Sequence, residues 1–401
     1  MLYRLLPLVL GAFAIGTETF MISGVLPTIA KDLGVSPATA GSLVTTFALA
    51  YAFGSPILAV ASAGFERKRL LMVALGAFAA ANALAAFAPS FAWLAAARVL
   101  LALSAGAFMP AATAFATAMH APAQRGRAIA LVYAGMTLAT VVGVPAGTFV
   151  ASAADWRATF LGVAALAAVG VLGVATILPR LGGVEAVGLP ERIAVARRPE
   201  VIKVLGLTTL ALIGPFAANT YLGVLANETL GVSGASLAGV LMLFGLMSFF
   251  GSQFGGYAAD RWPRERFLAA VLGILIVAFG AMSIAPRLGG AEGAAALYAG
   301  LILWGLFGWA FPVVQQARLV SLNPALASIT LSLNTSALYL GAAMGASLGA
   351  VAVAQWSVAA IGWAAALTDV AALAWLVATV APRRIDQPAP ATIARLATEN
   401  D

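Results

Sequence analysis

The sequence predicts an all-α polytopic membrane protein with twelve transmembrane helices in two pseudo-symmetric six-helix bundles. Three observations carry this expectation. Of 401 residues, 62% are hydrophobic and 9% charged, where a soluble globular chain carries roughly 25% charge. Mean hydropathy is +0.99, and the apolar residues fall into a dozen runs long enough to cross, as helices, a hydrocarbon core about 30 Å thick. Motifs of the first six runs recur in the second six. This composition excludes a soluble enzyme, a disordered chain, a coiled coil and a collagen-like fibre.

In chain order, the spans are predicted near 5–26, 39–62, 70–88, 92–114, 127–151 and 157–178, then 203–226, 236–258, 267–286, 294–317, 328–353 and 357–381. The first begins with Arg4 and runs on without a small-residue cleavage site, so it reads as a retained helix rather than a signal peptide. Arg67, Lys68 and Arg69 separate spans 2 and 3; Arg125 and Arg127 separate 4 and 5. Arg180, Arg192, Arg197, Arg198 and Lys203 fill the central loop, Arg261, Arg264 and Arg266 the 8–9 loop, and Arg318 precedes span 11. The alternate loops hold only Lys31, Arg157 and Arg287. Cytoplasmic chain ends satisfy the positive-inside rule at nearly every loop. The division is then 1–178 for the first bundle, 179–202 for a cytoplasmic linker, 203–381 for the second bundle and 382–401 for a cytoplasmic tail.

The repeat is visible in the letters. Leu33-Gly34-Val35-Ser36 recurs as Leu230-Gly231-Val232-Ser233, and Phe53-Gly54-Ser55 as Phe250-Gly251-Ser252. Gly106 and Pro110 match Gly308 and Pro312, and Gly143 and Gly147 match Gly345 and Gly349. Parallel six-helix repeats about an axis normal to the membrane suit alternating access.

Gly54-Ser55-Pro56 followed by Gly64-Phe65-Glu66-Arg67-Lys68-Arg69, Arg98 with Gly106, and Gly143-Val144-Pro145-Ala146-Gly147 followed by Trp156-Arg157 occur in that order along the chain. Together they resemble the major facilitator superfamily, and within it the drug:proton antiporter group that includes bacterial sugar, arabinose and purine-nucleoside efflux permeases. The resemblance spans nearly the whole chain. It implies conformational roles for Gly54, Arg67 and Arg69, and an antiporter motif, proposed to limit proton leak, at Gly135, Gly143, Pro145 and Gly147. The plain alternative for the glycines is close helix packing. The superfamily's loop 2–3 acid is replaced by Ala63, whereas the second copy keeps Asp260 with Arg261 and Arg264. A latch between helices is therefore expected at Asp260 rather than in the first half, unless these charges serve topology alone.

Ionisable residues within spans are costly and mark function by default. Glu18 lies about 20 Å along helix 1 from its cytoplasmic start, deep enough for desolvation to govern its protonation, which makes it the leading proton-coupling candidate. The resembled subgroup reads Gly-Thr-Ser/Thr-Glu-Phe here; this chain reads Gly16-Thr17-Glu18-Thr19-Phe20, with the acid one residue early. That shift turns the side chain by about 100°, so a structural polar contact is the alternative. Arg98 resembles the superfamily's buried arginine, which tunes a carboxyl without carrying the proton itself; its alternative is snorkelling to the interface. Asp369 is the weakest of the three, because helix 12 is peripheral in the resembled fold. A substrate cavity is expected from Thr17, Phe20, Asn219, Tyr221, Trp304, Trp309, Gln315, Asn334 and Tyr339, amphipathic rings with a few hydrogen-bonding groups. Interface anchoring is the rival role for the tryptophans.

The expected function is a proton-coupled secondary transporter that exports a small organic solute or drug by alternating access. A sugar or nutrient proton symporter or facilitator is the alternative, and a non-transporting sensor or scaffold a third reading. No enzyme is expected, since no nucleophile–base pair or ligand cluster appears on adjacent turns. Nor is a cofactor: there is no phosphate-binding Gly-x-x-x-x-Gly-Lys-Ser/Thr loop, no cysteine, and the single histidine, His120, stands without metal-ligand neighbours. The expected partners are a small-molecule substrate, protons and the lipid bilayer, without nucleic acid, for a monomer in a bacterial inner membrane.

Overall fold

The computed structural model describes residues 2–62, 64–121, 124–182, 188–322 and 327–380. Ala63 and the 382–401 tail lie outside the described residues. Among the described residues, twelve helices are long and apolar enough to cross a membrane: α1 Leu6–Asp32, α2 Pro37–Ala61, α3 Arg67–Ala86, α4 Phe91–Ala118, α5 Arg125–Ala153, α6 Trp156–Ile177, α7 Pro199–Thr220, α8 Gly234–Arg261, α9 Arg264–Leu288, α10 Gly290–Leu322, α11 Ile329–Gln355 and α12 Ala360–Thr379. Helices α1–α6 form one bundle and α7–α12 the other, and the described residues contain no strand. In lipid this is forced, because a helix satisfies its own backbone donors and acceptors.

The repeated Leu-Gly-Val-Ser tetrad has a local cause. Gly34 and Gly231 take φ of +64° and +66°, a left-handed conformation that a side chain disfavours. Each turns the chain out of a finished helix, and the serine two residues later is extended and opens the next one. Ser36 Oγ accepts from Thr39 N at 3.1 Å, and Ser90 and Asp155 cap α4 and α6 in the same way. All of these caps sit at one end of the bundle, termed here the far end. Arg67, Arg125, Arg264 and Arg318 lie at the other, basic end.

Two spans depart from simple helices. The seventh, expected over 203–226, breaks at Tyr221 and continues as a short helix, Leu222–Leu230. In α5 a π-helical turn, Ala139–Gly143, precedes Pro145; the widened turn relieves the missing N–H and the clash of the proline ring with the carbonyl four residues back. The turn Trp304–Gly308 does the same ahead of Pro312 in α10.

The halves meet in their far portions. Thr45 and Ser347 hydroxyls are 3.2 Å apart across α2 and α11. Tyr221 is fully buried, and its hydroxyl donates to Ala38 O at 3.4 Å. A Cβ at Gly41 of α2 would lie 2.9 Å from Tyr221 Cε1, and one at Gly245 of α8 would lie 2.9 Å from Val141 Cα of α5. Small residues thus let the two bundles close on one another.

Candidate functional site

Helix α1 is the most buried span, and successive side chains at its middle face different neighbours. Thr17 points at α5, where a Cβ on Gly143 would stand 3.0 Å from Thr17 Cβ. One turn up, Gly147 faces Met21, and one turn and more down, Gly135 faces Ala12 and Phe13. The glycines of α5 therefore form one stripe along one face of α1, with Pro145 buried among them. Phe20 points into the other half and meets Trp309 of α10 edge to face at 5.7 Å.

Glu18 faces α4. Its Oε1 accepts a charge-assisted hydrogen bond from Arg98 Nη1, and neither residue has measurable solvent exposure. Arg98 does not snorkel. Its Nε donates to Leu43 O of α2 at 3.3 Å, and its guanidinium carbon stands 4.4 Å over the Phe47 ring. Glu18 Oε2 and Arg98 Nη2 have no hydrogen-bond partner among the described residues. A buried acceptor and a buried donor thus remain next to the pair. Thr19, at the position of the subgroup's acid, returns its hydroxyl to Ile15 O at 2.8 Å.

An aromatic group adjoins the pair. Tyr51 of α2 stacks on Tyr339 of α11 at 3.8 Å, and Phe47 lies 6.2 Å from both rings. Phe47 and Tyr51 were not among the sequence candidates. Their signal was present: Leu43, Phe47 and Tyr51 repeat at i, i+4, i+8, one stripe of a helix.

Gln315 and Asn334 are brought together, but inside the C-terminal core. Thr208 Oγ donates to Asn334 Oδ1 at 2.7 Å, while Gln315 Nε2 donates to Val204 O at 2.9 Å and to Thr208 Oγ at 3.2 Å. Trp304 is buried between Phe244 and Phe279 at 4.3 and 5.5 Å. Asn219 is half-buried on α7. Asp369 is fully buried, and neither carboxylate oxygen has a partner among the described residues. Its helix packs on α9 at Gly362 and on α7 at Ala365.

At the basic end Arg67 Nη1 donates to Ala114 O at 2.7 Å, tying the loop to α4, and Arg69 pairs with Glu66 at 3.3 Å. A Cβ on Gly54 would meet the Leu103 side chain of α4. Asp260 is exposed and makes no ion pair among the described residues. Arg261 lies 4.0 Å over the Tyr257 ring, and Arg264 donates to Ala259 O at 3.3 Å. Among the described residues the ion pair that links helices here is Glu265 with Arg318 at 3.3 Å. No group of metal-ligating side chains occurs among the described residues.

The comparisons decide what this architecture is. The model of the Major Facilitator Superfamily matches residues 8–346. The chain belongs to the major facilitator superfamily. Among its relatives, the uncharacterised MFS-type transporter YbcL of Bacillus subtilis (strain 168) is 34% identical, with 91% of this chain and 92% of the relative covered. A chloramphenicol resistance protein of Streptomyces lividans is 35% identical over 70% of this chain and 73% of its own length. A chloramphenicol efflux pump of Mycobacterium tuberculosis (strain ATCC 25618 / H37Rv) is 32% identical over 77% and 76%. The crystal structure of a D-xylose–proton symporter has the same fold, with a TM-score of 0.74 at 15% identity and 93% and 96% coverage. This superfamily member is thus a multi-pass membrane transporter and not an enzyme.

Proposed function

We propose that this superfamily transporter exports a small organic solute in exchange for protons, with the Glu18–Arg98 pair as the coupling element. One observation carries the reading: a fully buried ion pair between α1 and α4, capped by a Tyr51–Tyr339 stack that bridges the two halves. A proton reaching Glu18 removes its charge and frees the Arg98 guanidinium, which stays charged; loss of that proton restores the pair. The α1 segment that carries Glu18 also carries Thr17, against the α5 glycines, and Phe20, against the other half. A change in the pair is therefore transmitted to both helix interfaces that must move. The glycine stripe of α5 provides the smooth surface on which α1 turns.

The distribution of basic residues supports cytoplasmic chain ends. In that orientation the far end faces outward, and Tyr221 and Thr45–Ser347 hold it closed. Solute bound from the cytoplasm is carried outward as the bundles 1–178 and 203–381 rock about the site. The protein works as a monomer in a bacterial inner membrane. The names of the chloramphenicol relatives put that compound at the head of the substrate panel.

The test is proton movement in sealed vesicles that hold the purified protein and a preset pH gradient. The gradient should dissipate when chloramphenicol, or one class from a panel of drugs, nucleosides and sugars, is added. Solute flux of equal rate with and without the gradient would replace antiport by uncoupled transport.

A further inference from the structure

Between α1, α5 and α6, near the basic end, lies a membrane-facing groove of about 450 Å³. Leu6, Leu10 and Phe13 line it from α1, Leu138 from α5, and Val169 and Ile177 from α6. Its floor is tight because Gly173 lets α6 approach Pro7, where a Cβ would stand 3.1 Å from the proline ring. Leu6, Leu138, Val169 and Ile177 are 45–57% exposed once the protein is taken by itself.

Each wall of the groove carries an arginine towards the basic end. Arg4 lies in the helical turn Leu2–Leu5 immediately ahead of Leu6. Arg180 follows Ile177 at the end of α6. Arg127 shares a stripe of α5 with Leu138, eleven positions earlier, which is about 16 Å along a helix. That length is roughly one leaflet, half of a hydrocarbon core about 30 Å thick. All three arginines are exposed and form no hydrogen bond or ion pair among the described residues. The helices bring no acid to this rim: α5 and α6 contain none, and those of α1 are Glu18 at mid-helix and Asp32 at the far end.

We infer that this groove is a site for an anionic phospholipid, with one acyl chain along the apolar channel and the phosphate among Arg4, Arg127 and Arg180. The argument is complementarity: the channel spans one leaflet and offers no polar group, while its mouth holds three arginines that form no ion pair among the described residues. Basic clusters at membrane depth attract anionic headgroups, roughly fivefold in affinity for each Lys or Arg. The inference depends on the fold and not on the transport reading, because nothing in it involves Glu18.

Native mass spectrometry of the full chain, given equal phosphatidylglycerol and phosphatidylcholine of matched acyl chains, tests it. The parent protein should retain phosphatidylglycerol preferentially by more than tenfold. The preference should fall roughly fivefold with each of Arg4→Gln, Arg127→Gln and Arg180→Gln. Leu10→Trp, which fills the channel and leaves the arginines in place, should lower retention of that bound lipid as well. Equal retention of the two lipids by the parent protein would show annular lipid only and overturn the proposal. So would a preference that survives removal of all three arginines, or one that Leu10→Trp leaves unchanged.

Discussion

In the N-terminal half the buried polar centre is an ion pair, Glu18 of α1 with Arg98 of α4. In the C-terminal half it is neutral: Thr208, Gln315 and Asn334 share hydrogen bonds among α7, α10 and α11. The register that pairs Gly106 with Gly308 puts Gly300 in the place of Arg98, and the register that pairs Leu33 with Leu230 puts Pro215 in the place of Glu18. Gly300 is a contact point where a Cβ would stand 2.8 Å from Ala278 O of α9. The backbone repeat is preserved while the buried ion pair, among the described residues, is confined to one half. Within the proposed function, the first half then carries the proton chemistry and the second supplies a frame with the aromatic face of Tyr339 and Trp309.

The largest expected effect breaks the charged side of this comparison. Arg98→Met leaves Glu18 buried without its partner and should cost about 3–5 kcal/mol of stability, read as a lowered thermal midpoint of the purified protein. Combining it with Glu18→Leu should recover most of that loss, since replacing both members of a buried pair is often near neutral. A double variant as unstable as Arg98→Met would show that the pair's geometry, rather than the stranded charge, sets the cost.

A smaller effect compares helix packing. Gly143→Ala adds a methyl against Thr17, and Gly345→Ala adds one 3.0 Å from Ala217 N at the matching place in α11. Each should cost about 1–3 kcal/mol as overpacking. Only Gly143→Ala should also slow gradient-driven flux, because Gly143 faces the segment of α1 that carries Glu18, whereas Gly345 faces α7. Equal loss of flux in both would remove the asymmetry. Thr208→Val, which deletes the hub of the neutral network, should lower stability by about 1 kcal/mol and leave the proton dependence of flux where it was. Smallest of all, Asp260→Asn should leave the thermal midpoint unmoved, as the side chain is exposed and without an ion pair among the described residues.

Much of this architecture was legible in the letters. Hydrophobic runs and basic loops revealed all twelve spans, since in lipid only the helix satisfies the backbone. The Leu-Gly-Val-Ser tetrads marked the repeat because a left-handed glycine and a helix-opening serine are local requirements. Depth singled out Glu18, and the resemblance to the superfamily's buried arginine singled out Arg98, one by one. Their pairing was not legible, for it depends on how α1 is rotated against α4, and a one-residue shift of the acid obscures that rotation. Phe47 and Tyr51 were overlooked because aromatic residues in an apolar span carry no cost that draws attention. Gln315 and Asn334 were placed with cavity residues, yet they satisfy one another through Thr208, a residue whose small hydroxyl does not stand out in sequence. Asp260 sits beside three arginines in sequence, but the helix-linking ion pair there among the described residues is Glu265–Arg318, formed between the basic ends of α9 and α10.

The most direct test of the central claim separates movement of the carrier from coupling to protons. Glu18→Gln keeps the size of the side chain and its hydrogen bond to Arg98 but removes the titratable group. In vesicles, this variant should still exchange labelled solute across the membrane without a gradient, and should fail to accumulate it when a pH gradient is imposed. Accumulation against the solute gradient equal to that of the parent protein would contradict the account and place the proton site elsewhere in the chain.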